Sequence, residues 1–231
     1  LRGDKTINRM LTGRGITKSY GSLKVLKGID LQVREGEIIS IVGASGAGKS
    51  TLLHILGTLD KPDEGSLHLN DEDLMRLSPK QIAKFRNTRV GFVFQFHNLL
   101  PEFTALENVC IPGYISKNST MMVENEGKRL LTLLGIQDRS DHKPSQLSGG
   151  ELQRAAVARA LINKPAIVFA DEPSGNLDSK NANELHNLFF KLREELNQTF
   201  VIVTHNEELA SMADRTLEIR DGMIVNILKD Q

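Results

Sequence analysis

The chain has 231 residues, 25% of them charged and 39% hydrophobic, with 29 Lys plus Arg against 29 Asp plus Glu. That length can bury a substantial core, as one large α/β domain or a core with a subdomain, and zero net charge leaves no global basic field for nucleic acid or anionic lipid, only a local patch. The single cysteine, Cys110, excludes an intramolecular disulfide and fits a reducing compartment, and no apolar run approaches the ~18 residues of a membrane span.

Leu1-Arg2-Gly3-Asp4 carries no signal-peptide pattern, so the expected location is cytosolic. Residues 1–9 are set aside as a remnant or a disordered N-terminus, with Met10 as candidate initiator. From Gly15 to Val33, polar and apolar residues alternate around turn-like Gly21-Ser22 and Gly28, which predicts short antiparallel strands. Tyr20 falls in the first of these turns, either as simple packing or as an aromatic face for a base. A strand is predicted from Glu37 to Val42 and a helix ending near Leu56. Between them stands Gly43-Ala44-Ser45-Gly46-Ala47-Gly48-Lys49-Ser50-Thr51, a G-x-x-x-x-G-K-S pattern in the strand-to-helix context of a phosphate-binding loop. Its glycines let successive backbone N–H groups face one point, and the following helix adds the positive end of its dipole. Lys49 would reach the outer phosphates and the Ser50 hydroxyl would complete the shell of Mg2+. A mere tight turn does not need the lysine.

Pro62-Asp63-Glu64-Gly65 reads as a turn, Ser66 to Leu69 as a strand and residues 79–87 as a short helix. Arg89 to Gln95 reads as a buried strand whose polar end, Gln95, is either a sensor at the carboxyl end of an open sheet or a strand terminus that happens to be polar. The stretch Phe96 to Thr104 is apolar without a clear period, so it either packs inside a helical subdomain or offers a hydrophobic patch to a partner. Helical spacing follows at Thr104 to about Ile111, Val123 to Leu134 and Ser148 to Ile162, with a polar linker at Asp141 to Gln146. Strands are then predicted at Ala166 to Ala170, Thr199 to Val203, Thr216 to Arg220 and Met223 to Ile227, with helices at Lys180 to Leu196 and Glu207 to Met212. The economical architecture is one α/β core interrupted by one mostly helical insertion, about residues 96–163, within a single domain spanning 10–231.

Chemistry concentrates at three further places. The strand Ile167-Val168-Phe169-Ala170 ends in Asp171 and Glu172, adjacent carboxylates that alternation sends to different points. Asp171 would support Mg2+ beside Ser50, leaving Glu172 to orient or deprotonate the attacking water; without a phosphate loop the same pair would read as a solvated turn. A second strand delivers His205 in the same manner, as a γ-phosphate contact or as an ordinary surface histidine. In Leu147-Ser148-Gly149-Gly150-Glu151-Leu152-Gln153, a serine N-cap precedes two glycines at a helix start, a second anion site. One nucleotide does not need two such sites from one chain, which predicts a two-fold dimer with each second site closing over the nucleotide of the other copy.

Taken together, these residues resemble the ATP-binding subunits of ABC transporters from about Gly13 to Ile227, an α/β P-loop NTPase core of ABC type with an antiparallel β subdomain and an inserted α-helical subdomain. Gly43 to Ser50 matches Walker A, Ile167 to Asp171 Walker B, and Leu147 to Gln153 the signature, departing at Leu152 where Gln is common. Gln95 falls at the Q-loop glutamine, which implies a catalytic and Mg2+-binding role, and Ser174 to Asp178 at the D-loop. His205 falls at the switch histidine and Tyr20 at the adenine-stacking A-loop. Asn176 and the run Gln95 to Val109 look like the group that includes lipoprotein-release, macrolide-export and FtsE/FtsX-like systems, with the lipoprotein-releasing ATPases as the nearer resemblance. The resemblance implies an ATPase at the cytoplasmic face of a bacterial inner membrane, paired head-to-tail with a second copy. It implies docking of integral membrane subunits near Phe96, Leu99, Leu100 and Phe103, and no nucleic acid. The competing expectations are the nucleotide domain of a macrolide-type exporter, an FtsE-like complex, or a soluble ABC ATPase acting on ribosomes or DNA.

Overall fold

Alternating burial organises the N-terminal third of the chain and continuous apolar runs the rest. In this computed structural model the described residues are 9–228; residues 1–8, set aside above with Arg9, lie outside them. Along the chain run β1 (Arg9–Tyr20), β2 (Leu23–Arg34), β3 (Ile38–Val42), α1 (Lys49–Leu56), β4 (Glu64–Leu69), β5 (Glu72–Asp73), α2 (Pro79–Arg89) and β6 (Val90–Phe94). Then come α3 (Ala105–Ile115), α4 (Thr120–Leu133), α5 (Gly149–Leu161), β7 (Ile167–Asp171), α6 (Ser179–Leu196), β8 (Thr199–Val203), α7 (Glu207–Met212), β9 (Arg215–Arg220) and β10 (Met223–Leu228).

The short strands expected between Gly15 and Val33 are one long hairpin about Gly21-Ser22. Gly28 is not a turn: Ile16 pairs with Ile29 and Thr17 with Lys27, so Gly28 is the extra residue of a β-bulge. The bulge keeps Leu26 and Ile29, three apart in sequence, together in the core. β4 and β5 complete an antiparallel sheet in the order β2-β1-β4-β5. A second sheet has the order β10-β9-β3-β8-β7-β6, parallel from β9 to β6 and closed at one edge by antiparallel β10. Its central strands are apolar on both faces, as parallel strands covered on two sides must be.

Period two divides β7 between two cores. Ile167 and Phe169 join α1 and the antiparallel sheet, whereas Val168 and Ala170 face α6 together with Val109 of α3, Leu130 of α4 and Val157 of α5. The helices between β6 and β7 therefore share their core with one face of the parallel sheet. α3 runs four residues beyond its expected end, through Pro112, whose carbonyl accepts from the side chains of Asn87 at 3.2 Å and Asn163 at 2.9 Å. Pro112 has no N–H to donate to the Asn108 carbonyl one turn back, so the helix forgoes that bond and ends within its next turn, at Ile115. No helix among the described residues is long and apolar enough to cross a membrane.

Candidate active site

The parallel strands β3, β7 and β8 are neighbours, so their carboxyl ends gather in one place. β3 ends at Val42 and the chain turns into α1 through residues 43–48. Gly43 has φ 148°, and a Cβ there would collide with the Ile219 carbonyl of β9, so the loop crosses the neighbouring strand more closely than a side chain permits. Ala44, Ser45 and Gly46 form the exposed tip, closed by Ala47 N–H donating to the Ala44 carbonyl at 3.2 Å. Gly48 caps α1 without a side-chain acceptor, which leaves the first-turn N–H groups for an anion. Lys49 Nζ donates to the carbonyls of Gly43 at 2.8 Å and Ala44 at 3.0 Å, so the cation stays inside the loop's own curve. Thr51, half-buried, follows in the first turn of the helix.

Ser50 Oγ donates to Asp171 Oδ1 at 3.1 Å, and His54 Nε2 lies 3.9 Å from Asp171 Oδ2. Burial pushes the Asp171 carboxyl above its usual range, against the pull of the Ser50 hydrogen bond. A desolvated carboxylate facing a hydroxyl is a hard oxygen donor set, and Mg2+ fits it. Gln95, the third expected ligand, turns elsewhere. Its Nε2 donates to Asn176 Oδ1 at 3.1 Å while Asn176 Nδ2 donates to the Gln95 carbonyl at 3.2 Å, which ties the two loops reciprocally.

Glu172 takes the left-handed conformation, φ 47°, with its N–H donating to the Val203 carbonyl at 2.9 Å. For a residue with a Cβ this is a costly backbone state, held here by the adjoining strand. The turn sends its side chain away from Asp171 and toward the end of β8. There Oε2 accepts the His205 backbone N–H at 3.2 Å and stands 2.8 Å from His205 Nδ1. Adjacent strands thus bring together the expected base and the expected histidine.

Ser148 caps α5 in a reciprocal box. Its N–H donates to Glu151 Oε2 at 2.8 Å and its Oγ to the same oxygen at 2.9 Å, while Glu151 N–H donates to Ser148 Oγ at 3.3 Å. The two glycines differ. A Cβ on Gly150 would stand 2.6 Å from Asn181 Oδ1 of α6, a contact within the chain, whereas Gly149 is exposed at the helix start. The structure does not hydrogen-bond Ser148, Gly149 or Gly150 to the phosphate loop. Glu151 also meets Arg139 at 2.8 Å, and the Ser148 backbone bond followed by Arg139 lowers its carboxyl to about 2. Because the folded value lies below the usual carboxylate value, the box contributes fully at neutral pH. That contribution fades as the pH falls from the usual carboxylate range through about 2. Glu151→Gln should therefore flatten the acid limb of thermal stability between those limits, read as the difference in Tm between pH 7 and pH 3.

The apolar segment after Gln95 resolves both ways. Phe96 is 70% exposed, and Leu100 and Phe103 are also exposed, while Leu99 packs against the core beneath them. Fully buried Asn108 pins the segment: its Oδ1 accepts Leu100 N–H at 2.7 Å, and its Nδ2 reaches the carbonyls of Leu100, Phe103 and Thr104. Sequence reasoning missed this asparagine, and it missed the buried His186, whose Nε2 lies 3.0 Å from Ser174 Oγ. Burial pushes His186 below its ordinary value, toward the neutral ring. A 12-residue separation across a loop leaves no periodic signal for that pair.

The sequence model of the ABC transporter family matches residues 26–175. The lipoprotein-releasing system ATP-binding protein LolD of Cytophaga hutchinsonii is 59% identical, over 95% of this chain and 100% of the relative. Its counterpart from Bacteroides fragilis is 57% identical, over 94% and 100%. Among solved structures, an ATP-binding cassette in a dimeric post-hydrolysis state with ADP and Pi superposes with TM-score 0.87 at 39% identity, covering 95% of this chain and 98% of that one. A bacterial ABC transporter cassette solved as a dimer gives TM-score 0.87 at 41% identity over the same shares. The fold, the strand-end geometry and these likenesses agree, and the chain belongs to the ABC transporter family as one of its ATP-binding proteins.

Proposed function

We propose that this chain is the ATP-hydrolysing subunit of a lipoprotein-releasing transporter, working as a head-to-tail dimer at the cytoplasmic face of a bacterial inner membrane. The observation that carries the hydrolytic role is the pairing of Ser50 with Asp171 and of Glu172 with His205 at the ends of neighbouring strands, and the likeness to lipoprotein-releasing relatives supports the cargo. Lys49 leaves its two loop carbonyls for the outer phosphates, and the free N–H groups of α1 hold the remainder. Ser50 and Asp171 would hold Mg2+, with Gln95 joining them once released from Asn176. Such an ion, when bound, would supply positive charge against the phosphate oxygens. Glu172 accepts the proton of the attacking water, and His205, 2.8 Å away, holds the carboxylate in place and contacts the γ-phosphate. Tyr20 receives the adenine ring. Ser148, with the backbone at Gly149 and Gly150, closes over the nucleotide held by the second copy, so the site is complete only when two chains meet. Phe96, Leu100 and Phe103, supported from below by Leu99 and held by Asn108, receive the integral membrane subunits. Closure of the dimer pulls those subunits together and hydrolysis releases them.

The test is capture of tagged Glu172→Gln with ATP from gently solubilised bacterial membranes, followed by mass spectrometry. Integral subunits accompanied by lipoprotein support the reading. Recovery of export or cell-division subunits would move the assignment to a macrolide-type or FtsE-like complex, and ribosomal or DNA-associated proteins alone would remove the transporter role.

A further inference from the structure

Tyr20 ends β1 with 51% of its surface exposed, yet its side chain is fixed at the tip. Its hydroxyl donates to Asp60 Oδ2 at 2.7 Å. The other oxygen of Asp60 accepts from Lys18 Nζ at 2.8 Å and from the Lys61 N–H at 2.7 Å. Lys18 Nζ also donates to the Lys61 carbonyl at 2.6 Å and stands 5.3 Å from the centre of the Tyr20 ring. The backbone repeats the attachment, with Ser19 N–H donating to Asp63 Oδ2 at 2.6 Å and Asp63 N–H to the Thr17 carbonyl at 2.9 Å. The end of β1 is therefore fastened to the segment that leaves α1, whose Asp60 N–H donates back to the His54 carbonyl at 3.2 Å.

Charge and geometry act in one direction here. Burial pushes the Asp60 carboxyl up, but the Lys18 and Tyr20 hydrogen bonds outweigh it and the group is held below its usual value. The same bond to Asp60 raises the Tyr20 phenol, so the hydroxyl remains a donor. Because the Asp60 N–H also donates to the His54 carbonyl of α1, the acceptor that holds the Tyr20 hydroxyl is itself tied to the phosphate-loop helix. With the ammonium of Lys18 over the ring and the hydroxyl engaged, the ring is left to present a face rather than a hydrogen bond.

We propose that Asp60 is a positioning residue for nucleotide binding: joined at once to the Tyr20 hydroxyl and to Lys18, it holds the Tyr20 ring in one orientation, with a face free for a nucleobase. This rests on the reading of Tyr20 as the base-stacking residue. Without Asp60 the ring must lose its rotational freedom when the base arrives, and affinity falls by that cost.

The experiment measures ATP turnover by the purified chain, together with equilibrium binding of inorganic tripolyphosphate, which has no base. Asp60→Ala and Tyr20→Phe should each raise KM for ATP by about three- to tenfold while kcat changes by less than about twofold, the cost of ordering one side chain. Tripolyphosphate affinity should not move. The double variant should be no worse than either single one, and Asp60→Asn, whose one oxygen cannot accept from both the Tyr20 hydroxyl and Lys18, should raise KM by less than Asp60→Ala does. Additive effects of Asp60→Ala and Tyr20→Phe, or an equal loss of tripolyphosphate binding, would overturn the proposal. If Tyr20→Ala weakens ATP binding and Asp60→Ala does not, Asp60 loses its role while base stacking stands. If Tyr20→Ala leaves KM unchanged, the stacking reading falls and this inference with it.

Discussion

Glu172→Gln should lower ATP turnover by about two to three orders of magnitude, within the range lost when a general base is removed, while nucleotide binding survives. The amide has the same shape, and its oxygen still accepts the His205 N–H that the carboxylate accepts at 3.2 Å, so the left-handed turn at the end of β7 is preserved. What disappears is the capacity to take a proton from water. Asp171 cannot replace it, because it projects from the adjacent position toward Ser50, at 3.1 Å. With ATP bound and not consumed, two copies should remain closed. Phosphate release measured beside light scattering reads both consequences, and turnover within a few-fold of the unaltered chain would remove Glu172 from the role of base.

Lys49→Ala should act on binding itself, weakening ATP by about ten- to a hundredfold, the loss of one or two charge-assisted hydrogen bonds. The side chain now donates to the carbonyls of Gly43 and Ala44, at 2.8 and 3.0 Å, and its truncation leaves both exposed to water while removing the cation that would meet the outer phosphates. ADP should lose less than ATP if the ammonium serves the outermost group. Calorimetric titration of both nucleotides separates the two, and equal losses would place the lysine on the inner phosphates or in the fold alone.

Legibility in this chain follows the range of the interactions concerned. β8 and α7 have the bounds expected of them, because an apolar run of four ends at Thr204 and Asn206 then caps the next helix through the Leu209 N–H at 2.8 Å, all local chemistry. The long hairpin was not legible as such, since its bulges break the alternation on which a strand is recognised. The shorter of the two asparagine bonds to the Pro112 carbonyl of α3 comes from Asn163, 51 residues away. The candidate site divides in the same way. The phosphate loop, the two acids at the end of β7 and the histidine after β8 are contiguous patterns at strand ends. The partners of Tyr20 and Gln95 are separated from them by 40 and 81 residues, and nothing near either residue announces them. The doubled glycine after Ser148 carried two different causes, one of them Asn181 of α6, which only the fold brings near.

Cys110 has a practical consequence for following the closure of two copies over ATP. The thiol is fully buried among the helices, its Sγ 3.7 Å from the Val123 carbonyl, and burial raises it above the ordinary thiol value. Electrophilic thiol reagents therefore meet a chain with little background while it stays folded. A cysteine introduced at exposed Phe96 or Phe103 becomes a single addressable label, usable for spectroscopic rulers or cross-linking without first deleting a native residue. Slow labelling of Cys110 itself would then clock how often the packed helices part.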